Sequence, residues 1–328
     1  MVELELLCNE WIEQVKHYMQ LIAAHSIKEK ENEVGNILDD ILNLSGKMFR
    51  AKLLLLCGFL GADWEAKKET LCKLAAMVEL THLASLIHDD IVDDSPYRRG
   101  KLSVQRKYGK NAAVYAGDFL MARIYYYEAV EKFNDSAAAL SKAVEAMCMG
   151  EIGQGLCRYR ENISEKEYFE NIEGKTATLF ETACYIGAKE SGCSEEVVKK
   201  ISLFGKNLGF MFQLKDDIID FTSNLKNTGK ETHKDFKDGI YTFPVIMALK
   251  NPEGRKFLLP IMEKNINQEL SEKDVKDVTS YVIKFGGVEE SIKKIKELSD
   301  INKELIKDLN QNNKVISLFY KLMKKLEE

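Results

Sequence analysis

The sequence is poor in the residues and patterns that make β-sheets. Its 328 residues contain only 4 prolines, and none stands before Pro96. It has no sustained apolar/polar alternation and no Asn-Gly or Asp-Gly turn between two such runs, which are the strongest local signals of strands and hairpins. Because 45% of the residues are hydrophobic, the chain can bury a sizeable core. We therefore predict an all-α fold, a single-domain helical bundle over residues 1–328.

Paired cysteines, long apolar runs and an excess of basic charge are also lacking. Seven cysteines are scattered without a Cys-x-x-Cys pair, which is typical of reduced core residues in a cytoplasmic protein. The acidic N-terminus does not resemble a signal peptide, and the longest apolar stretch, 53–62, is shorter than the roughly 20 residues that cross a bilayer. The 47 basic and 52 acidic residues are interspersed. These features predict a cytoplasmic protein that spans no membrane and binds no nucleic acid.

Two acidic motifs stand inside apolar, helix-like runs. The spacing Asp-Asp-x-x-Asp occurs twice, at Asp89, Asp90 and Asp93 and at Asp216, Asp217 and Asp220. One such motif alone is equally typical of a solvated acidic turn. In a helix, however, the first and last aspartates of each motif share a face and repel each other, and a cation offsets that repulsion. Since Mg²⁺ is usually held by one or two carboxylates together with substrate phosphates and water, the pair of motifs predicts a phosphorylated substrate.

These motifs resemble the two aspartate-rich motifs of the trans-isoprenyl diphosphate synthases, the polyprenyl synthetase family, and of its medium- or long-chain members in particular. The resemblance continues in order to about Pro244, through Ser45-Gly46-Lys47-Met48-Phe49-Arg50, Glu79-Leu80-Thr81-His82, Arg98-Arg99-Gly100-Lys101, Ala116-Gly117-Asp118-Phe119-Leu120, Gly150-Glu151-Ile152-Gly153-Gln154, Gly174-Lys175-Thr176-Ala177 and Gly209-Phe210-Met211-Phe212-Gln213. So many ordered matches make the assignment specific.

The resemblance implies a central cavity in the helical bundle and an Mg²⁺-dependent prenyl transfer. An allylic diphosphate ionises to a carbocation, the double bond of isopentenyl diphosphate attacks it, and a proton is lost to give an allylic chain longer by one five-carbon unit. Three Mg²⁺ ions with substrate bound and a homodimer are implied, with a small regulatory subunit as an alternative partner. Cations stabilise the negative charge that develops on the leaving diphosphate, so no enzyme nucleophile is required.

Site residues are assigned by matching positions of the resemblance. All six motif aspartates, Asp89, Asp90, Asp93, Asp216, Asp217 and Asp220, match metal ligands, with Asp217 and Asp220 acting partly through water. The allylic diphosphate is assigned to Arg98, Lys175 and Lys230. Isopentenyl diphosphate is assigned to Lys47, Arg50, His82 and Arg99. The carbocation is assigned to the side-chain or backbone oxygens of Thr176 and Gln213, which with Lys175 make the catalytic set.

Two positions depart from the family pattern. Ile240 stands where the pattern often has a lysine after Gly239, so one diphosphate contact is in doubt. His233 stands where the segment after the second motif usually has glycine. The polar segment 226–239 is expected to cover the site.

Small residues precede the first motif on its helix and bear on product length. Ala84 and Ser85 stand one turn before Asp89, and Thr81 stands a further turn away. They predict that the growing tail passes between helices, giving a product of geranylgeranyl length or longer. Candidates to close this tunnel on the next helix are Leu120, Ile124, Tyr125 and Tyr127.

Three other functions are weighed against this one. A class I terpene cyclase usually has Ser or Thr where Asp220 stands and needs no second diphosphate pocket. A di-iron carboxylate protein needs two Glu-x-x-His motifs, and only Glu79 with His82 supplies one. A non-catalytic subunit would have degenerate aspartates, whereas both motifs are intact; the catalytic subunit of a heteromeric synthase remains an alternative.

Overall fold

A computed structural model describes residues 2–24, 33–222, 233–309 and 313–328, and within these the fold is all-α, as predicted. The helices are α1 Val2–Ala24, α2 Glu33–Leu42, α3 Phe49–Gly58, α4 Lys68–Val92, α5 Val104–Tyr108, α6 Lys110–Glu131, α7 Asn134–Leu156, α8 Glu165–Ile172, α9 Thr178–Glu190, α10 Glu195–Thr222, α11 Lys234–Lys237, α12 Phe243–Lys250, α13 Pro252–Ile266, α14 Glu272–Lys284, α15 Gly287–Ile306 and α16 Asn313–Glu327, with a π-helical turn, Glu173–Ala177, between α8 and α9. In the described ranges the strands are β1, Tyr97–Arg98, and β2, Lys101–Leu102, which pair antiparallel after α4.

Contacts divide the chain into two compact units. The first unit comprises Met1–Val144, Leu179–Leu203 and Leu309–Leu318; the second comprises Glu145–Thr178, Phe204–Asp308 and Phe319–Glu328. The expectation of one domain over 1–328 stays a prediction.

In the first unit, α4 is the central helix. It packs against α1, α3 and α6. Fourteen of its side chains are buried, because Leu, Ala, Val and Met occupy eight of the eleven positions 74–84. The first aspartate motif stands at the C-terminal end of this helix, which places carboxylates at its negative pole.

In the second unit, α12 is the central helix and packs against α13, α14 and α15. Its core includes Phe221, Phe236, Tyr241 and Val245, so the helix that carries the second aspartate motif and the chain after it are anchored in one cluster. A proline near the start of α12, Pro244, has the fixed φ that a first helical turn accepts.

By length and mean hydropathy, α4 would suffice to cross a membrane, which the shorter run 53–62 would not. However, 72% of its most apolar window is buried inside the fold, as in the core helix of a soluble protein.

Candidate active site

Three arginines and a histidine of the first unit form a basic cluster around the buried Glu79. The pKa of His82 lies well below its usual range because the ring is buried and faces the positive charges of Arg50, Arg99 and Arg98. Burial also lowers the pKa of Arg50 to about 10, against the attraction of Glu79. Concentrating this much positive charge is unfavourable without an anion. Of the predicted isopentenyl diphosphate residues, the structure thus gathers Arg50, His82 and Arg99.

Arg50 is held in place by one aromatic ring and one carboxylate. Its guanidinium lies 4.6 Å from the centre of the Phe180 ring, while its Nε is buried without a hydrogen-bond partner. Glu79 accepts a hydrogen bond from the backbone N–H of Ala51 (3.0 Å), one of the unsatisfied donors at the start of α3. Lys47, the fourth residue predicted to bind isopentenyl diphosphate, is exposed and precedes α3, which begins at Phe49 after Met48 in the left-handed conformation.

Within the first aspartate motif, the middle carboxylate is buried and the outer two are partly exposed. Asp90 is 3% exposed and accepts hydrogen bonds from Nε (3.0 Å) and Nη2 (2.5 Å) of Arg98. Arg98, predicted to bind the allylic diphosphate, is therefore bonded to the motif itself. Asp89 and Asp93 stand one turn apart, both partly exposed, on the helix face expected for metal ligands.

The chain-length candidates lie along the seam between α4 and α6. Near one end of the seam the His88 ring fills the space over Gly117, and near the other Lys73 bonds Glu131 (2.9 Å), so the helices run antiparallel. This register puts Ala84 level with Leu120 and Thr81 level with Ile124. These four side chains are buried, and the Oγ1 of Thr81 has no hydrogen-bond partner.

The other candidates near this seam are less deeply placed. Ser85 is partly buried and donates a hydrogen bond to the carbonyl of His82 (2.9 Å). Tyr125 is 43% exposed, and Tyr127 is partly buried. Leu120 and Ile124 therefore fit a tunnel-closing role better than the two tyrosines.

In the second unit, Lys175 and Thr176 stand on the π-helical turn between α8 and α9. Glu173 accepts at its carbonyl both the backbone N–H and the side-chain hydroxyl of Thr178 (2.8 Å to the latter). The π-helical turn lies close against α7 because Gly150 and Gly174 have no side chains. A Cβ on Gly174 would lie 2.5 Å from the carbonyl oxygen of Ala146. π-Helical turns are rare in proteins, and many of those that occur lie at functional sites.

Lys175 reaches across to the end of α7. Its Nζ bonds a carboxylate oxygen of Glu151 (2.8 Å) and donates to Oε1 of Gln154 (2.8 Å). Both partners belong to the Gly-Glu-x-x-Gln stretch recognised in the sequence, where they were given no role. They hold the ammonium in a fixed place at the site.

Thr176 and Gln213, the predicted carbocation-stabilising pair, are in contact. Thr176 Oγ1 donates to Gln213 Oε1 (2.8 Å), and Gln213 Nε2 donates to Oδ1 of Asp217 (2.9 Å). A Cβ on Gly209 would lie 2.5 Å from the Cα of Ala177, so this glycine lets α10 approach the π-helical turn.

The second aspartate motif repeats the pattern of the first. Asp217 is 2% exposed, and its Oδ2 accepts a hydrogen bond from the Tyr168 hydroxyl (2.6 Å). Burial raises the pKa of Asp217 to about 7, despite the hydrogen bonds from Tyr168 and Gln213. Asp216 is exposed and Asp220 partly exposed, on a shared face.

His233 follows this motif in a backbone conformation that favours glycine. Its φ is +62°, which explains why the family pattern has glycine there. Its backbone N–H donates to Oδ1 of Asp220 (2.8 Å), and its Nε2 lies 3.1 Å from Oγ1 of Thr279. Ile240 lies partly buried beyond α11, and its N–H donates to the Asp235 carbonyl (2.8 Å). Lys230 and residues 226–232, half of the segment expected to cover the site, lie outside the described residues.

Comparisons with known proteins agree with the motifs. The sequence profile described as polyprenyl synthetase matches residues 31–282. Component 2 of the heptaprenyl diphosphate synthase of Bacillus subtilis is 34% identical over 254 residues, 77% of this chain and 70% of that protein. The chain belongs to the polyprenyl synthetase family. The predicted resemblance is confirmed, and so is the expectation of an enzyme of the prenyltransferase class.

Solved structures of polyprenyl synthetases confirm the fold. The heptaprenyl diphosphate synthase of Staphylococcus aureus superposes with a TM-score of 0.88 at 26% identity, covering 98% of both chains. The polyprenyl synthase of Caulobacter crescentus, crystallised with calcium and isoprenyl diphosphate, gives 0.85 at 25% identity, covering 98% of this chain and 94% of that one.

The donor set of this polyprenyl synthetase fits a hard divalent cation. Among the described residues no three His, Cys, Asp or Glu side chains stand together as a ready cation site. Each motif instead presents two carboxylates one turn apart, Asp89 with Asp93 and Asp216 with Asp220. Mg²⁺ is usually bound by one or two carboxylates, while substrate phosphates and water complete its coordination.

Two functional contacts were missed by sequence reasoning. Phe180 under Arg50 and Tyr168 on Asp217 are aromatic residues inside helical patterns, where an aromatic residue ordinarily indicates core packing. Both partners are distant in sequence: Tyr168 stands 49 residues before Asp217. Glu79 did carry a signal, as a charged residue inside the apolar run of α4.

Proposed function

We propose that this chain condenses isopentenyl diphosphate with an allylic diphosphate, head to tail, to a polyprenyl diphosphate of geranylgeranyl length or longer. The aspartates of the two motifs would hold Mg²⁺, three ions when substrate is bound, and this Mg²⁺ would supply positive charge that stabilises the allylic diphosphate as it leaves. The observation that carries the proposal is the shared architecture of the motifs: in each, a buried middle aspartate is hydrogen-bonded by the protein and the outer two share an exposed face.

The basic cluster supports binding of isopentenyl diphosphate. The positive charges of Arg50 and Arg99 lie near His82, the Nε of Arg50 is buried without a hydrogen-bond partner, and Lys47 stands three residues before Arg50 in sequence. Lys175, Lys230 and Arg98 bind the allylic diphosphate. Mg²⁺ supplies Lewis-acid stabilisation of the leaving group, while the oxygens of Thr176 and Gln213 face the developing positive charge.

A homodimer in the cytoplasm is proposed as the working assembly. An exposed face of α6 carries Tyr115 (72% exposed), Tyr126 (56%) and Val130 (57%), an apolar surface of the kind that marks protein contacts. The catalytic subunit of a heteromer is the second candidate, favoured by the likeness to a heptaprenyl synthase component 2. Light scattering of the purified chain separates the two: a monomer that dimerises only with an added subunit favours the heteromer.

An elongation assay tests the proposed reaction. The purified chain is incubated with Mg²⁺, isopentenyl diphosphate and farnesyl diphosphate, and product length is read by mass spectrometry. Asp89→Asn is expected to lower turnover by orders of magnitude without unfolding the protein. Asp94→Asn is the matched control, because Asp94 is exposed and paired with Lys110 (2.8 Å). Cyclised hydrocarbon as the product, or full activity of Asp89→Asn, contradicts the proposal.

A further inference from the structure

Four side chains of the second unit form one continuous hydrogen-bonded chain. Tyr168 Oη donates to Oδ2 of Asp217 (2.6 Å), and Gln213 Nε2 donates to Oδ1 of the same carboxylate (2.9 Å). Thr176 Oγ1 in turn donates to Gln213 Oε1 (2.8 Å). The chain thus begins at a buried phenol and ends at a hydroxyl in the predicted catalytic set.

The carboxylate at its centre imposes one direction on this chain. Oδ2 of Asp217 accepts the hydrogen bond of the phenol and Oδ1 accepts one from Gln213, so Gln213 presents its NH₂ group to Asp217 and its carbonyl to Thr176. The hydroxyl proton of Thr176 is thereby committed to Gln213. The lone pairs of Thr176 Oγ1 are therefore directed away from Gln213. An oxygen oriented in this way stabilises a nearby positive charge.

Tyr168 is built to hold the carboxylate in that orientation. Its side chain is 5% exposed and packs between the rings of Phe169 (5.3 Å between centroids) and Phe243 (5.4 Å). Without its hydroxyl, Oδ2 of Asp217 would lose its donor in a buried site.

We propose that Tyr168 is a positioning residue for the ionisation step, acting through Asp217 and Gln213 to fix the direction of the Thr176 hydroxyl. This inference rests on the proposed function and adds a residue to the same site. Because the effect is on an oxygen that faces the carbocation, it concerns the transition state and not the binding of either diphosphate.

The first test is Tyr168→Phe, which removes only the hydroxyl. Elongation by the wild-type chain is measured first, since its failure counts against the proposed function itself. In the variant, kcat is expected to fall roughly tenfold, the equivalent of one hydrogen bond to a charged group, with KM for both substrates unchanged. Tyr281→Phe is the matched control. This tyrosine stacks on Phe257 in the same unit and takes no part in the four hydrogen-bonded side chains, so its substitution should leave kcat unchanged.

The second test asks whether the effect runs through Thr176. Thr176→Val keeps the shape and removes the hydroxyl, so in that background Tyr168→Phe should cost no further kcat; groups acting as a unit are non-additive. If Tyr168→Phe does not fold, Tyr168→Met, which also removes the hydroxyl and fills the site with a flexible apolar side chain, takes its place with the same expectation. The inference is wrong if Tyr168→Phe leaves kcat unchanged in an otherwise wild-type, active protein. It is also wrong if Tyr168→Phe lowers kcat equally with and without the Thr176 hydroxyl; in both cases the proposed function stands.

Discussion

The guanidinium of Arg99 occupies the space that a side chain on Gly46 would need. Arg99 also donates to the carbonyl of Leu44, from a backbone in the left-handed conformation (φ +52°). The Ser-Gly-Lys turn and the Arg-Arg turn, 53 residues apart, are thus fitted to each other. A side chain at position 46 would therefore displace the guanidinium of Arg99.

Gly46→Ala is therefore expected to displace Arg99 and weaken binding of isopentenyl diphosphate. Loss of one charge-assisted contact corresponds to a rise in KM of roughly tenfold, with KM for the allylic substrate little changed. Steady-state kinetics with each substrate varied in turn measure both values. Gly155→Ala is the control, since a Cβ there meets nothing within 4 Å. An unchanged KM for isopentenyl diphosphate would show that Arg99 does not bind it.

Ala84→Phe is expected to shorten the product. Ala84 is 1% exposed and lies level with Leu120 across the seam of α4 and α6, so a phenyl ring blocks the proposed path of the growing tail. Overpacking of a buried site costs about 1–3 kcal/mol, so thermal unfolding is measured alongside. Product length by mass spectrometry decides the matter: a folded, active variant with the wild-type distribution would place the tunnel elsewhere.

The long helices could be predicted from sequence because their apolar periodicity is local. The apolar, helix-like runs around the two aspartate motifs form the long helices α4 and α10. The π-helical turn could not be predicted, because it depends on Gly150 of α7 lying against it. The hydrogen bond of Tyr168 to Asp217 has no local signal either. Spacing placed the carboxylates on one face, but only tertiary contacts decide which of them is buried.

His82 makes the stability of the fold depend on pH. Since its folded pKa is below the value of about 6.5 expected when unfolded, the unfolded state binds the proton more tightly. The contribution of neutral His82 to the free energy of unfolding is complete above pH 6.5 and is lost as pH falls below that value. Urea unfolding at pH 7.5 and 5.5 should therefore show a smaller difference for His82→Gln than for the wild type. His17→Gln, at an exposed position on α1, should retain the full difference; equal pH dependence in both variants would contradict the account.

Glu128 has the opposite effect. It is 4% exposed on α6, its Oε1 has no partner, and burial raises its pKa from 4.5 to about 7. The folded state therefore binds the proton more tightly, and stability falls as pH rises from about 4.5 through 7, by roughly 3 kcal/mol in all.

Glu128→Gln should accordingly gain stability at pH 8 relative to its own effect at pH 5, by about 2–3 kcal/mol in urea unfolding. Glu131→Gln is the control one turn away: Glu131 is paired with Lys73, so its substitution should give no such gain. A Glu128→Gln effect that is the same at both pH values would show that this carboxyl is ionised in the folded protein.

Diffraction from crystals grown with Mn²⁺ in place of Mg²⁺ and a non-ionising allylic thiodiphosphate tests the central claim most directly. Anomalous peaks are expected about 2.0–2.2 Å from carboxylate oxygens of both Asp89 and Asp216, each also bonded to the same diphosphate. Peaks at only one motif, or a diphosphate bound with no metal at either, would contradict it.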